Sequence, residues 1–121
     1  MPLKSYKELI VWQKAIELTV LIYNLTEKFP RSEVFGITSQ MRRAAVSIPS
    51  QIAEGYGRNS RKQYSQFLSI SYGSGLELET QLILVKKLKL TQAPEFEKPE
   101  ALLQEVLKML NSLISKLKTR P

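Results

Sequence analysis

The stretch "RRAAVSIPSQIAEGYGR", residues 42–58, decides between a helical bundle and something more irregular. A proline and two glycines so close together suit a loop. The apolar spacing says otherwise. Met41, Ala45, Ile48, Ile52 and Gly55 recur at intervals of 4, 3, 4 and 3, one stripe of a helix, and the phase does not slip across Pro49. The expectation is a helix kinked at Pro49. Proline removes one N–H and displaces the carbonyl of Ala45, at ~3 kcal/mol if nothing compensates. The hydroxyls of Ser47 and Ser50 flank the break and are candidates to satisfy the freed groups. Gly55 and Gly57 then let the chain leave the helix.

Working outward, the same register appears three more times. Val11, Ala15, Leu18, Ile22, Leu25 and Phe29 form one stripe, with Trp12, Ile16 and Tyr23 widening it beyond a single face. Tyr64, Leu68, Ser71, Gly75, Leu78, Leu82 and Val85 form another, and Leu103, Val106, Leu110, Leu113 and Leu117 a fourth. Ser5 with Glu8, and Ser60 with Gln63, have capping-box spacing. Phe29-Pro30 should end the first helix, and "TQAPEFEKPE" (91–100) separates the last two.

"YGSG" (72–75) raises the alternative of a phosphate loop, but no Gly-Lys-Ser/Thr follows and the register runs through it. Ser71, Ser74 and Gly75 are better read as small residues that admit a neighbouring helix. "LSISY" (68–72) is the single local rival with strand alternation. The predicted fold is all-α, an antiparallel up-and-down four-helix bundle in one domain over residues 1–121. Its helices span about 6–28, 37–57, 61–89 and 99–118.

Composition closes many chemistries. The chain has no Cys, no His and no Asp, and all its acidic residues are Glu. Thiolate chemistry, Cys/His zinc sites, Ser-His-Asp triads and di-iron sites built on Glu-x-x-His are thereby excluded. Glu77 and Glu79 are two apart on a helix and diverge by about 200°, so they cannot share a substrate. One should partner an arginine and the other face solvent. No catalytic residue, metal or cofactor is expected. No apolar run reaches membrane-spanning length, and no signal peptide is evident, so a cytoplasmic location is expected.

The net charge of +7 is uneven, with +4 in residues 31–62 and +1 in each of 1–30, 63–90 and 91–121. Five of six arginines fall in 31–62, which favours a polyanion partner. Arg31, Arg42, Arg58, Arg61 and Lys62 are the candidate nucleic-acid contacts. Arg42 and Arg43 are neighbours about 100° apart on a helix; Arg43 is expected to be structural and Arg42 exposed. Glu54 and Arg58 have i,i+4 spacing for an ion pair. Ser47, Gly55 and Glu77 are expected in packing or ion-pair roles.

"LIVWQKAIELTVLIYNLTEKFP" (9–30), "FGITSQMRRAAVSIPSQIAEGYGRNSRKQYSQFLSISYGSGLELETQL" (35–82) and "KMLNSLISKL" (108–117) together resemble the four-helix bundle family named for proteins encoded in intervening sequences of bacterial large-subunit ribosomal RNA genes. They are similar, more distantly, to the accessory protein of diversity-generating retroelements. The resemblance implies a bacterial bundle that assembles into a ring, a homopentamer, with a basic surface toward nucleic acid and no established enzymatic activity. Gln40, Arg43, Ser47, Glu54, Gly55, Glu77 and Glu79 match the family's motif positions. Gln51 stands where the family usually has Asn, and Gly75 where it generally has an aliphatic residue. Two functional readings follow: a non-catalytic oligomer that binds RNA or DNA backbones, or a protein–protein scaffold without direct nucleic-acid contact.

Overall fold

The computed structural model describes residues 4–118; the three residues at either end of the expected 1–121 domain lie outside the described residues. Four helices, α1 (Ile10–Thr26), α2 (Ile37–Tyr56), α3 (Arg61–Lys87) and α4 (Glu97–Lys118), pack antiparallel, with no strand among the described residues. α1 and α3 each pack against both α2 and α4, closing a square around one core. The stripes that predicted the helices fill that core: Leu18, Ile22, Met41, Ile48, Leu68, Leu82, Leu103 and Leu110 are buried.

α1 starts later than expected. Tyr6–Glu8 is a 3-10 turn, and Leu9 is extended (φ −69°, ψ 124°), which separates the turn from the helix. The Ser5/Glu8 capping box therefore serves the turn: Lys7 N donates to Ser5 Oγ at 3.1 Å and Lys4 N to Glu8 Oε1 at 3.3 Å. Gln13 Nε2 donates to the Lys7 carbonyl at 2.9 Å, and the Tyr6 ring meets Trp12 edge-on at 5.2 Å, so the turn is folded back on α1. Ser60 caps α3 as its spacing predicts, accepting from Gln63 N at 3.1 Å.

α2 passes through Pro49 as continuous helix. The compensation for the lost bond comes from a different element than expected. Thr19 Oγ1 of α1 lies 3.1 Å from the Ala45 carbonyl, the acceptor that Pro49 leaves without its N–H, and 2.8 Å from its own Ala15 carbonyl. One hydroxyl proton is shared between them. Ser50 instead donates to Val46 O at 2.8 Å, and Ser47 pairs with Ser74 Oγ of α3 at 2.8 Å.

The α2–α3 seam is close-packed through small residues. Ser71 Oγ donates to the Ile48 carbonyl at 2.9 Å. A Cβ at Gly55 would lie 2.6 Å from Phe67 Cβ, and one at Gly75 would lie 2.6 Å from Leu107 Cδ2 of α4. Those glycines admit α3 and α4 respectively, as the unbroken register implied. Lys89, with φ 56°, turns the chain out of α3. α4 begins at Glu97, before the expected position 99, because Pro99 sits in the first turn, where its missing N–H has no intrahelical acceptor to lose.

Candidate nucleic-acid interface

Up-and-down topology divides the basic segment 31–62 between the two ends of the bundle. α2 alone carries Arg42 about 21 Å from Tyr56, two residues before Arg58, at ~1.5 Å per residue. The five predicted contacts thus form two groups, Arg31 with Arg42 at one end and Arg58, Arg61 and Lys62 at the other.

Arg42 and Arg43 exchange their expected roles. The Arg42 side chain is 26% exposed and folds over the end of α1. Its Nε donates to Thr26 Oγ1 at 2.8 Å, and its Nη2 reaches the Tyr23 carbonyl and Glu27 Oε2, at 3.3 and 3.2 Å. The guanidinium also stacks 4.4 Å from the centre of the Tyr23 ring. It occupies the site that favours a cation, the carbonyl end of a helix. Arg43, one residue on, is exposed and makes no hydrogen bond or ion pair among the described residues. The identity of the neighbour on each side, α1 for Arg42 and solvent for Arg43, decides this, and adjacent charges in a sequence carry no such information.

At the opposite end, Arg58 pairs with Glu54 at 2.9 Å, as the i,i+4 spacing predicts, and stacks over Phe67 at 4.7 Å. Arg61 is committed to structure: its Nη2 caps α4 by donating to the carbonyls of Lys116 and Leu117 at 3.2 and 3.3 Å. Lys62 is exposed with no partner among the described residues, and so is Arg31 at the far end. Ser47 and Gly55 take the packing roles described above. Glu77 does not: it is exposed and unpaired among the described residues, while Glu79 accepts from Gln104 Nε2. Gln40 is also exposed.

The Arg61 bonds to the end of α4 and the Lys28–Glu95 pair at 3.2 Å fix which loops share an end. Among the described residues, Lys4, Lys7, Arg58, Arg61, Lys62, Lys116 and Lys118 gather around the α2–α3 turn, against Glu8 and Glu54. The opposite end has more carboxylates among the described residues, with Lys28, Arg31, Arg42, Arg43, Lys86, Lys87, Lys89 and Lys98 against Glu27, Glu33, Glu95, Glu97 and Glu100. Local charge counting missed Lys4, Lys7, Lys116 and Lys118 because they come from the chain's two extremities. The predicted topology, applied to the lysines as well as the arginines, would have found them.

The same end holds the strongest titration shift. Burial, with the neighbouring Tyr56 hydroxyl second, pushes the Tyr64 phenol up to about 12; the two rings meet edge-on at 5.8 Å. Lys14, on the middle of α1, is raised by its hydrogen bond and attraction to Glu105 at 2.9 Å. Among the described residues no cluster of carboxylates is arranged to hold a metal ion, and no helix is long and apolar enough to cross a membrane.

A crystal structure of a protein with unknown function from Bacteroides thetaiotaomicron, assigned to the S23 ribosomal protein family, has a similar fold. The TM-score is 0.78 at 25% identity, over 87% of this chain and 98% of that one. Among curated proteins none matches. The sequence model of the 23S rRNA-intervening sequence protein matches residues 7–112, from the 3-10 turn through most of α4. With the match running through all four helices, this chain belongs to the 23S rRNA-intervening sequence protein family.

Proposed function

We propose that the protein is a non-catalytic, cytoplasmic bundle that binds the phosphate backbone of RNA or DNA through the basic end at the α2–α3 turn. The observation that carries this reading is the asymmetry between the ends among the described residues: seven cations against two carboxylates at one, eight against five at the other. Clustered lysines and arginines suit backbone contacts, which position without reading sequence. Titration of single-stranded and structured RNA at low salt tests it. Binding should be insensitive to sequence and weaken steeply with salt, each neutralised phosphate of a single strand adding about 0.7 to the logarithmic slope. No binding at low salt contradicts it.

The subunit is also proposed to self-associate, as the ring implied by the family resemblance requires. Phe35 is 98% exposed in the α1–α2 connection, beside the exposed side chains of Val34, Tyr23 and Val46. α3 and the residue that follows it carry a second exposed apolar set in Ile70, Ile83, Leu84 and Leu88. Two different apolar faces on one chain suit a head-to-tail ring. A ring would repeat the basic end and raise avidity for a polyanion. Light scattering tests this: a monomer at all concentrations would leave these faces to a foreign protein and favour the scaffold reading.

A further inference from the structure

The end of the bundle opposite the α2–α3 turn contains a second feature, independent of the nucleic-acid reading. A cleft of about 400 Å³ opens between the end of α1 and the start of α2, within the size range of small-ligand sites. Its polar lining is rich in donors. Among the described residues Arg31 has no hydrogen-bond or ion-pair partner, and Arg42 is pinned through Nε and Nη2 while its Nη1 hydrogen-bonds nothing. Thr38 is only 3% exposed, yet its hydroxyl also hydrogen-bonds nothing among the described residues.

Thr38 belongs to the first turn of α2, which starts without a side-chain cap because Gly36 has none to offer. The N–H groups of Ile37, Thr38 and Ser39 therefore lack intrahelical acceptors and carry the positive end of a 20-residue helix. The lining holds one carboxylate, Glu27, and that is already held by Arg42 Nη2 at 3.2 Å. Arg31 has no ion pair among the described residues, whereas the helix start has a carboxylate nearby, Glu33, whose Oε1 lies 3.5 Å from where a Gly36 Cβ would stand. The rest of the lining, Phe29, Pro30 and Val34, is apolar.

We propose that this cleft binds a phosphate monoester. Its oxygens would accept from the two guanidinium groups, the Thr38 hydroxyl and the start of α2, and its organic group would lie against the Phe29–Pro30 wall. A monoester fits better than a free anion because the apolar wall has no role for inorganic phosphate.

The test is amide chemical-shift titration of the full chain with phenyl phosphate and, separately, inorganic phosphate, at ionic strength matched with sodium chloride. Phenyl phosphate should give saturable shifts at Thr38 and Ser39. Arg31→Gln should weaken it about tenfold and Thr38→Val about threefold, the sizes expected for one charge-assisted and one neutral hydrogen bond. Arg31 makes no contact that holds the fold, so its variant separates binding from stability. Equal affinity for inorganic phosphate would overturn the monoester assignment. The cleft itself would be overturned by non-saturable shifts, by shifts confined to the Arg58–Lys62 turn, or by indifference to Arg31→Gln.

Discussion

Gly55 and Gly73 sit on the same two helices' worth of small residues but in opposite surroundings. A methyl at Gly55 meets Phe67 Cβ at 2.6 Å and the Tyr64 carbonyl at 3.3 Å, neither of which can swing aside. Gly55→Ala should destabilise the protein by about 1–3 kcal/mol. A methyl at Gly73 meets nothing within 4 Å, so Gly73→Ala should stabilise it by ~1 kcal/mol through helix propensity alone. Urea midpoints at constant m-value measure both, and equal effects would contradict the packing described. Thr19→Val tests the other unusual residue contact. It leaves the Ala45 carbonyl of α2 without the donor that replaces Pro49's missing N–H, at a cost of about 1–3 kcal/mol. The paired arginines separate in the same assay: Arg42→Met loses the Thr26, Tyr23 and Glu27 contacts and should cost ~1–2 kcal/mol. Arg43→Met should stay within about 0.5 kcal/mol of the parent.

At the scale of elements, the corner where α2 ends and α3 begins responds to alkali. An unfolded tyrosine ionises near ~10, and folding raises Tyr64 to about 12, chiefly by burying it. The unfolded chain then gives up this proton first. The contribution is intact below the unfolded value and is lost as pH rises through the interval up to the folded one. Tyr64→Phe should flatten the fall in melting temperature between those pH values. An unchanged slope would place the phenol in water instead.

The elements themselves were legible in sequence because 4-3 spacing is a local property, and the register of residues 41–55 and 64–85 survived a proline and two glycines intact. Cap placement was legible at Ser60 and misleading at Ser5, where a capping box closes a 3-10 turn because Leu9 is extended. Side-chain partners between elements were not legible. Thr19 as the donor to Ala45, Arg61 as the cap of α4, and the exchange between Arg42 and Arg43 all depend on which helix lies alongside, over sequence separations of 26, 55 and 16 residues.

For the whole molecule, the distribution of charge matters more than its total. The +7 of the chain becomes a polar arrangement only when the antiparallel fold brings residues 4–7, 58–62 and 116–118 to one end. The five predicted contacts in 31–62 therefore divide: Arg58, Arg61 and Lys62 lie at the basic end, whereas Arg31 and Arg42 lie at the opposite one. The direct comparison is salt-dependent RNA affinity for two charge-removal variants of equal net charge. Lys7→Gln/Lys62→Gln/Lys118→Gln strips the basic end, and Arg31→Gln/Arg43→Gln/Lys87→Gln strips exposed cations elsewhere. The first should lose most of the affinity and reduce the logarithmic salt slope by about 2, three phosphates' worth on a single strand, while the second retains both on RNA without a terminal phosphate monoester. Equal losses from the two variants would contradict a binding surface at the α2–α3 end.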